Sequence, residues 1–288
     1  MSVNKDIILL EARKQLLLRS YYEFFLYFWD EISPELLVNN FHIKILCDEL
    51  QDIGERVIRR EPKLYDLIIN ISPASSKSTI ASVLFPCWLW AKEASLKILT
   101  GSHAQNLSID LAVKSRNVLK SDKFKRLFPD IILKEDENNK SSYSNNHLGN
   151  RRATSVGSDV IGFHAAIHIV DDPTTARATK LELKKANEWL SVTLSTRKIN
   201  KEVTPLILIQ QRIAIDDCTA FLLSRGNPVK HICLPAEDNQ YTTPELKQYY
   251  VNGLFDPVRL SRKILDQTKI DIGSKGYATQ FLQAPVDI

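Results

Sequence analysis

The sequence predicts an α/β fold in which helices flank a mostly parallel central sheet. From residue 66 onward, short apolar runs alternate with longer segments whose apolar positions recur at helical spacing. The apolar runs are nearly continuous, as is typical of parallel strands that are buried on both faces. The predicted architecture adds an N-terminal helical segment and a small C-terminal lid or linker subdomain to this core.

The N-terminal region, residues 6–53, is predicted to be helical because apolar side chains recur at intervals of three and four. These positions include Leu16, Leu17, Tyr21, Phe24, Phe25 and Phe28. Ser33-Pro34-Glu35 interrupts the pattern, which resumes from residue 41 to residue 53. We expect residues 1–60 to pack on the core as a helical segment.

The core, residues 61–235, contains five apolar runs of strand length, at residues 66–71, 96–100, 165–170, 205–209 and 229–234. Helices are predicted after the first four, at residues 77–91, 103–120, 178–194 and 216–224. Asparagine and serine cluster in residues 135–157, which predicts an exposed loop or hairpin between core strands. In the tail, residues 236–288, helical pieces are predicted at residues 257–267 and 277–282.

The composition is that of an ordinary soluble globular protein. Of the 288 residues, 44% are hydrophobic and 25% are charged, and no apolar run approaches the length that spans a bilayer. The N-terminus lacks the features of a signal peptide, so we expect a cytosolic protein without membrane contacts. The cysteines lack the spacing of a zinc site or a disulfide framework and are predicted to be buried free thiols: Cys47, Cys87, Cys218 and Cys233.

Positive charge is concentrated in one stretch, although the formal net charge is only +4. Its basic residues are Lys114, Arg116, Lys120, Lys123, Lys125 and Arg126. Such a stretch can contact nucleic-acid phosphates or form a solvated helix face. Charge alone favours the solvated face.

The first candidate site is a phosphate-binding (Walker A) loop after the first strand. Ser72-Pro73-Ala74-Ser75-Ser76-Lys77-Ser78-Thr79 joins that strand to a helical pattern. Small residues allow backbone N–H groups to surround the phosphates of ATP, and the helix N-terminus adds a positive dipole end. Lys77 is expected to reach the β- and γ-phosphates, and the Ser78 hydroxyl is expected to bind Mg²⁺.

This loop contains no glycine, whereas the usual pattern has glycine at the positions of Ile71 and Ser76. A left-handed backbone at a non-glycine residue costs about 1–2 kcal/mol, which a tightly bound triphosphate would offset. The alternative interpretation of the segment is a serine-rich helix cap.

The second candidate site is a pair of carboxylates, Asp171 and Asp172, at the end of the strand at residues 165–170. In a P-loop ATPase the first acid holds Mg²⁺ and the second activates the attacking water. Both acids and the loop are expected at the C-terminal edge of the sheet, where such folds bind ligands. Asp172-Pro173 can also begin a helix, and the two interpretations are compatible. Together, the loop and the acids predict a P-loop NTPase that binds ATP and Mg²⁺.

A third candidate is Gln210-Gln211-Arg212, at the end of the strand at residues 205–209. We expect Gln211 to contact the nucleotide and sense its γ-phosphate, with Arg212 as a candidate catalytic residue. The alternative is a surface-exposed strand end. Asp216-Asp217 opens the next helix and is predicted to cap it rather than to bind metal.

As a set, these segments resemble the large terminase subunits of tailed phages. The loop at residues 72–79 is similar to the proline-led, glycine-poor phosphate loop of that family. Other similar motifs are Ser82-Val83-Leu84-Phe85-Pro86-Cys87-Trp88, Leu127-Phe128-Pro129, Asp171-Asp172-Pro173, Trp189 with Thr196-Arg197, Ile209-Gln210-Gln211-Arg212 with Asp216-Asp217, and Gln280-Phe281-Leu282-Gln283-Ala284-Pro285. The resemblance extends from about residue 40 to the C-terminus, and its specificity lies in the order and spacing of the motifs.

The resemblance implies an ATP-hydrolysing motor that drives double-stranded DNA into a procapsid through a portal protein, in the host cytoplasm. It implies a homo-oligomeric ring, expected to be a pentamer on the procapsid and a monomer in isolation, and a separate small terminase subunit that recognises DNA. It also implies a C-terminal nuclease. The sequence stops where that domain is expected to begin, so we expect no endonuclease activity from this chain.

Two departures from the family concern arginine. Ala74 stands where many relatives have an arginine in the loop, and Ile161-Gly162-Phe163-His164-Ala165, before the acidic strand, contains none. An arginine finger accelerates hydrolysis by about 10³–10⁵, so another residue is expected to supply the charge. The candidates are Arg151 and Arg152, expected in a polar loop free to reach a neighbouring subunit, and Arg197 and Arg212, acting within the same chain.

Two other functions stay open. The first is a helicase-like ATPase of another DNA system, against which the motifs at residues 85–88 and 280–285 count. The second is a degenerate P-loop domain that binds nucleotide or DNA with little turnover. The glycine-free loop and the missing arginines favour this second alternative.

Overall fold

The computed structural model describes residues 2–287. Its helices are α1 (Ser2–Arg19), α2 (Tyr21–Phe28), α3 (Phe41–Ile58), α4 (Phe85–Lys92), α5 (Gln105–Lys120), α6 (Asp122–Leu127), α7 (Lys180–Glu188), α8 (Cys218–Ser224) and α9 (Arg262–Gln280). Its strands are β1 (Asp66–Ile71), β2 (Lys97–Ser102), β3 (Leu133–Asn138), β4 (Ser142–Asn145), β5 (Asn150–Ser155), β6 (Ile167–Asp171), β7 (Leu206–Gln210) and β8 (Val229–Leu234). Short 3₁₀ or π turns lie at Trp29–Glu31, Thr79–Leu84, Trp189–Thr193, Leu194–Arg197 and Pro244–Tyr249.

The strands of the described part form one sheet in the order β3-β4-β5-β2-β6-β7-β1-β8. The six strands from β5 to β8 in this order are parallel to one another, and β3 and β4 pair in antiparallel fashion at one end. Successive strand residues point to opposite faces, so Ile69 joins the larger hydrophobic cluster and Ile68 joins a second cluster behind the sheet. Helices cover both faces, and the predicted α/β fold class is confirmed.

The N-terminal helices share the larger cluster with the core. Ser20 caps α2 because its hydroxyl accepts the N–H of Glu23 at 3.2 Å. The aromatic residues of this helix that were expected at helical spacing are fully buried: Tyr21, Phe24, Phe25 and Phe28. They pack with residues of α3 and α4, so the helical segment is continuous with the core of the sheet.

The C-terminal region also packs into this cluster, through Leu254, Phe255, Leu260, Leu265 and Tyr277. It was predicted to contain two helical pieces, at residues 257–267 and 277–282. The structure has one segment, α9, interrupted at Gly273, whose left-handed φ of 72° breaks the helical backbone. The domain boundaries at residues 60 and 235 stay a prediction.

The Asn- and Ser-rich stretch at residues 135–157 is only partly the exposed hairpin that was predicted. β3 and β4 form that hairpin, but β5 lies inside the sheet between β4 and β2. Alternate side chains of β5 point into the core, and Arg151 is only 1% exposed. The polar composition did not indicate a core strand, because the Arg151 guanidinium donates to the buried Tyr143 hydroxyl and Ser82 carbonyl rather than to water.

All four cysteines are free and buried, as predicted. Among residues 2–287, every helix is too short or too polar to cross a membrane.

Candidate functional site

The loop after β1 adopts a left-handed backbone without glycine. Ala74 has a φ of 60° and Ser76 a φ of 58°, each of which costs about 1–2 kcal/mol at a residue with a Cβ. Ser76 is one of the two positions where glycine was expected, and the strain is found there. Ile71 is not left-handed, because it is still paired with Leu234 in the sheet. Helical structure begins at Lys77.

Three contacts hold this loop in place. The Ser75 hydroxyl donates to the Ser72 carbonyl at 2.8 Å, and the Ser72 hydroxyl donates to the Phe281 carbonyl at 3.1 Å. The Nε2 atom of His42, at the start of α3, lies 2.8 Å from the Ser75 carbonyl and therefore carries its hydrogen. Burial lowers the pKa of His42 to about 4, so the imidazole is neutral. The N-terminal helices and the C-terminal region thus both brace the loop.

A wide helical turn at Thr79–Leu84 follows the loop and leads directly into α4. Such π turns leave carbonyl groups without their usual helical partners and are frequent at functional sites. Three of these carbonyls accept hydrogen bonds from other elements: Ile80 from the Tyr21 hydroxyl, Ser82 from the Arg151 guanidinium and Val83 from the Ser115 hydroxyl. The turn is therefore fixed by side chains from α2, β5 and α5.

Lys77 lies against the end of β6. Its Nζ atom is 2.9 Å from Asp172 Oδ2, and its side chain is only 12% exposed. Burial lowers the pKa of this lysine, but the carboxylates of Asp172 and Asp171 outweigh burial and raise it. Lys77 is therefore charged, and it shares one small region with both acids.

Asp171 is the more buried of the two acids, with 2% exposure. Its Oδ2 atom accepts the Ser82 hydroxyl at 2.8 Å. Burial and the neighbouring Asp172 raise the pKa of Asp171 to about 6, against the opposing effects of Lys77, Ser82 and Ser78. Within residues 2–287, its Oδ1 atom is buried and has no hydrogen-bond partner.

These donors fit Mg²⁺. The ion commonly binds proteins through one or two carboxylates, with water and phosphate oxygens completing its shell. The orphaned Asp171 Oδ1 atom and the nearby Ser78 hydroxyl suit that mode. The described residues contain no cluster of three or more His, Cys, Asp or Glu side chains, so they provide no site that encloses a metal with protein ligands alone.

The third candidate, Gln210-Gln211-Arg212, lies at the end of β7, which is placed between β6 and β1 in the sheet. Gln211 is half-buried there. Arg212 is 9% exposed, and its Nε atom lies 2.9 Å from Asp217 Oδ2. Asp217 also caps α8 by accepting the N–H of Ala220 at 3.0 Å, in agreement with the predicted capping role. The surface-exposed alternative is wrong for this strand end.

A buried polar network beside this strand end was not predicted. Asn70 of β1 bonds the Thr219 hydroxyl at 3.0 Å and accepts from His231 Nε2 at 2.7 Å. The Gln210 amide donates to the same Thr219 hydroxyl at 2.9 Å. The strand that leads into the loop is thereby joined to β7, α8 and β8. Asn70 inside an apolar strand was the one signal in the sequence.

The expectation that Arg151 is free to reach a neighbouring subunit is wrong. Its guanidinium is buried and bonds the Ser82 carbonyl at 2.6 Å and the Tyr143 hydroxyl at 3.3 Å. Arg152 is half-buried, and its guanidinium lies 4.7 Å from the centre of the Phe163 ring. Its position on β5 leaves it partly accessible.

Arg197 lies at the wrong edge of the sheet to act in its own site. Its carbonyl accepts the N–H of Ala165, which precedes β6, whereas Asp172 follows that strand. Seven residues of extended chain span about 23 Å, which one side chain cannot bridge. Arg212 is at the correct edge but is engaged by Asp217. Sequence reasoning overlooked Arg177, which is exposed in the loop five residues after Asp172.

The basic side chains between Lys114 and Arg126 do not form one continuous surface. Lys123 Nζ lies 2.6 Å from Asp30 Oδ1 and 2.6 Å from the Tyr27 carbonyl, so this lysine is bound to the N-terminal helices. Lys114 and Lys120 are six positions apart on α5, which turns them about 120° from each other. The solvated-face interpretation is therefore the better one for this stretch.

No protein-family model matches the sequence, and no curated protein matches it. Solved structures do match the fold. The large terminase of bacteriophage HK97 gives a TM-score of 0.57 at 11% sequence identity, over 92% of this chain and 55% of that chain. The ATPase domain of the Thermus phage P74-26 large terminase, solved as a point mutant, gives a TM-score of 0.52 at 10% identity, over 83% and 97% of the two chains.

This chain thus spans about half the length of the HK97 protein. The more complete match is to the isolated ATPase domain of the Thermus phage protein, nearly all of which is covered. The chain has the fold of phage large-terminase ATPase domains, and the predicted resemblance is confirmed at the level of the fold.

Proposed function

We propose that this chain is an ATP-hydrolysing motor domain that translocates double-stranded viral DNA into a procapsid. The observation that carries the proposal is the convergence of Lys77, Asp171 and Asp172 beside a strained, small-residue loop, on the fold of a terminase ATPase domain. The portal protein, the small terminase subunit and assembly into a ring, a pentamer on the procapsid, belong to the same proposal. They follow from the family resemblance.

The loop residues Ser72 to Thr79 cradle the phosphates of ATP, and Lys77 neutralises them. Ser78 and Asp171 hold Mg²⁺, which supplies positive charge to the phosphates when bound. Gln211 contacts the nucleotide from the end of β7. Arg212 is retained as a candidate catalytic arginine, provided that its contact with Asp217 opens.

Asp172 is proposed as the general base. Without nucleotide, Lys77 pairs with this carboxylate. ATP brings phosphate charges that compete for the same ammonium group. Once Lys77 turns to the phosphates, the Asp172 carboxylate is released from the ion pair and is free to accept a hydrogen bond from the attacking water. Nucleotide binding itself therefore makes the base available to water.

The decisive experiment is single-turnover hydrolysis of ATP at high protein concentration, with and without linear double-stranded DNA. The wild-type chain is expected to hydrolyse ATP, the Lys77→Ala variant is not, and the variant of an exposed lysine, Lys201→Ala, is expected to match wild type. Hydrolysis by Lys77→Ala near the wild-type rate would contradict the assignment of the loop.

A second candidate is a domain that binds nucleotide with little turnover. It is favoured by the engagement of Arg151 and Arg212 in contacts within the chain. Binding of Mg-ATP without hydrolysis, at any protein concentration and with DNA present, would support this candidate.

A further inference from the structure

His103 lies just after β2, at the same edge of the sheet as Asp172, and makes two contacts with one atom. Its backbone N–H donates to the Asp172 carbonyl at 3.0 Å, and its ring Nδ1 atom lies 3.0 Å from the same oxygen. A carbonyl oxygen only accepts hydrogen bonds, so the Nδ1 atom must carry the hydrogen. His103 thus contributes two donors to a single peptide group.

That peptide group is an unusual one. Asp172 has a φ of 45°, in the left-handed region that residues with a Cβ avoid. Such a conformation persists only where the surroundings determine it. The N–H of Asp172 donates to the Ile209 carbonyl at 2.8 Å, which fixes one side of the residue to β7. His103 fixes the other side to the end of β2.

We propose that His103 is a positioning residue for Asp172. By holding the Asp172 carbonyl, it maintains the left-handed turn that directs the carboxylate away from the strand and toward Lys77, 2.9 Å away. Substituting His103 removes only the hydrogen bond from the ring, because the backbone N–H is present in every variant. The inference rests on the proposed role of Asp172 as general base.

The geometry distinguishes two substitutions of similar polarity. The side-chain amide nitrogen of Asn stands close to the position of histidine Nδ1, whereas that of Gln stands close to the position of Nε2. His103→Asn is therefore expected to keep the contact, and His103→Gln and His103→Ala are expected to lose it. The matched control is His164→Ala, which removes an exposed histidine from the loop before β6.

The test measures kcat, KM and the Kd of a fluorescent ATP analogue for these four variants and the wild type. Loss of the contact is expected to lower kcat about tenfold, which corresponds to about 1.4 kcal/mol. KM and Kd are expected to stay within about twofold, because Asp172 acts on water rather than on nucleotide binding. His103→Asn and His164→Ala are expected to keep the wild-type kcat.

Equal kcat in all variants, or equal losses in His103→Asn and His103→Gln, would overturn the inference while leaving the proposed function intact. A wild-type chain that does not hydrolyse ATP would instead defeat the proposed function. In that case ¹⁵N NMR of the His103 ring still tests the geometry. A hydrogen on Nδ1 is expected, and a ring that carries its hydrogen on Nε2 alone would overturn the positioning contact.

Discussion

Asp171→Asn is expected to stabilise the folded chain at neutral pH. The wild-type carboxyl has its pKa raised from 3.8 to about 6 by burial and by Asp172, so the folded state binds this proton more tightly than the unfolded state does. Because folding raises this pKa, the contribution of the Asp171 carboxyl to the free energy of unfolding is greatest below pH 3.8. That contribution is lost as the pH rises through about 6. The difference between 3.8 and about 6, at about 1.4 kcal/mol per pKa unit, amounts to about 3 kcal/mol above pH 7.

Asparagine removes the charge and keeps an oxygen that can accept from Ser82. Its amide nitrogen would occupy the buried Oδ1 position, where a hydrogen bond left unmade costs free energy, so 3 kcal/mol is an upper value. Urea denaturation in the absence of nucleotide is therefore expected to show the variant more stable than wild type by about 1–3 kcal/mol at pH 7.5. Near pH 5 the folded carboxyl is largely protonated but the unfolded one is still ionised, so the difference should fall to about half its value at pH 7.5 and vanish only below pH 3.8.

The control is Asp216→Asn, which changes an exposed carboxylate and should alter stability by less than about 0.5 kcal/mol at either pH. A wild-type chain that is the more stable of the two at pH 7.5, or a difference independent of pH, would refute the reasoning. The same substitution is expected to weaken binding of ATP in Mg²⁺ but to leave binding in EDTA nearly unchanged. The charge that destabilises the fold would then be the charge that the metal requires.

Four other outcomes are expected. Lys77→Ala should abolish ATP hydrolysis with a normal circular dichroism spectrum, because the side chain compensates phosphate charge rather than filling the core; near-normal turnover would contradict this. Asp172→Asn should slow hydrolysis by at least about 100-fold while Mg-ATP binding stays within a few-fold, as measured by single turnover and by titration; an equal binding defect would mean that the two acids share one role. Gly101→Ala should lower the free energy of unfolding by about 1–3 kcal/mol, because an added Cβ would lie 2.6 Å from the Trp189 ring; an unchanged denaturation midpoint would show that the ring moves freely. Turnover per subunit should rise with protein concentration or on assembly with portal and DNA, if an arginine is donated between subunits; a flat, high specific activity in demonstrably monomeric protein would exclude donation.

Local patterns predicted the strands closely. β1 and β8 have the predicted bounds, and β2, β6 and β7 each differ from prediction by no more than two residues at either end. Continuous apolar runs are strong signals because both faces of these strands are buried. β5 was missed for the opposite reason, since its buried arginine and threonine resemble surface residues until their partners are known.

The site was predictable where its chemistry is local. The loop, Lys77 and the two acids occur as short motifs after strands, and the parallel order of β1, β7 and β6 brings them to one edge. His103, Asn70 and Arg151 each contact a residue 69 or more positions away, and no spacing rule indicates such pairs. Ser76 illustrates the boundary between the two cases. Its strained conformation was foreseen from the motif, and the braces that maintain it were not.

The wide turn at Thr79–Leu84 has a consequence for the rotational register of the helix that contains it. A π turn holds one residue more than the α turn it replaces, and each residue of an α-helix advances the side chains by about 100°. Deleting one residue here would restore the regular α-helical geometry. The residues before the turn would then be rotated about the helix axis relative to the residues after it. If Phe85 and Trp88 kept their places in the core, Lys77 would point about 100° away from Asp172. The extra residue therefore sets the direction in which the lysine faces.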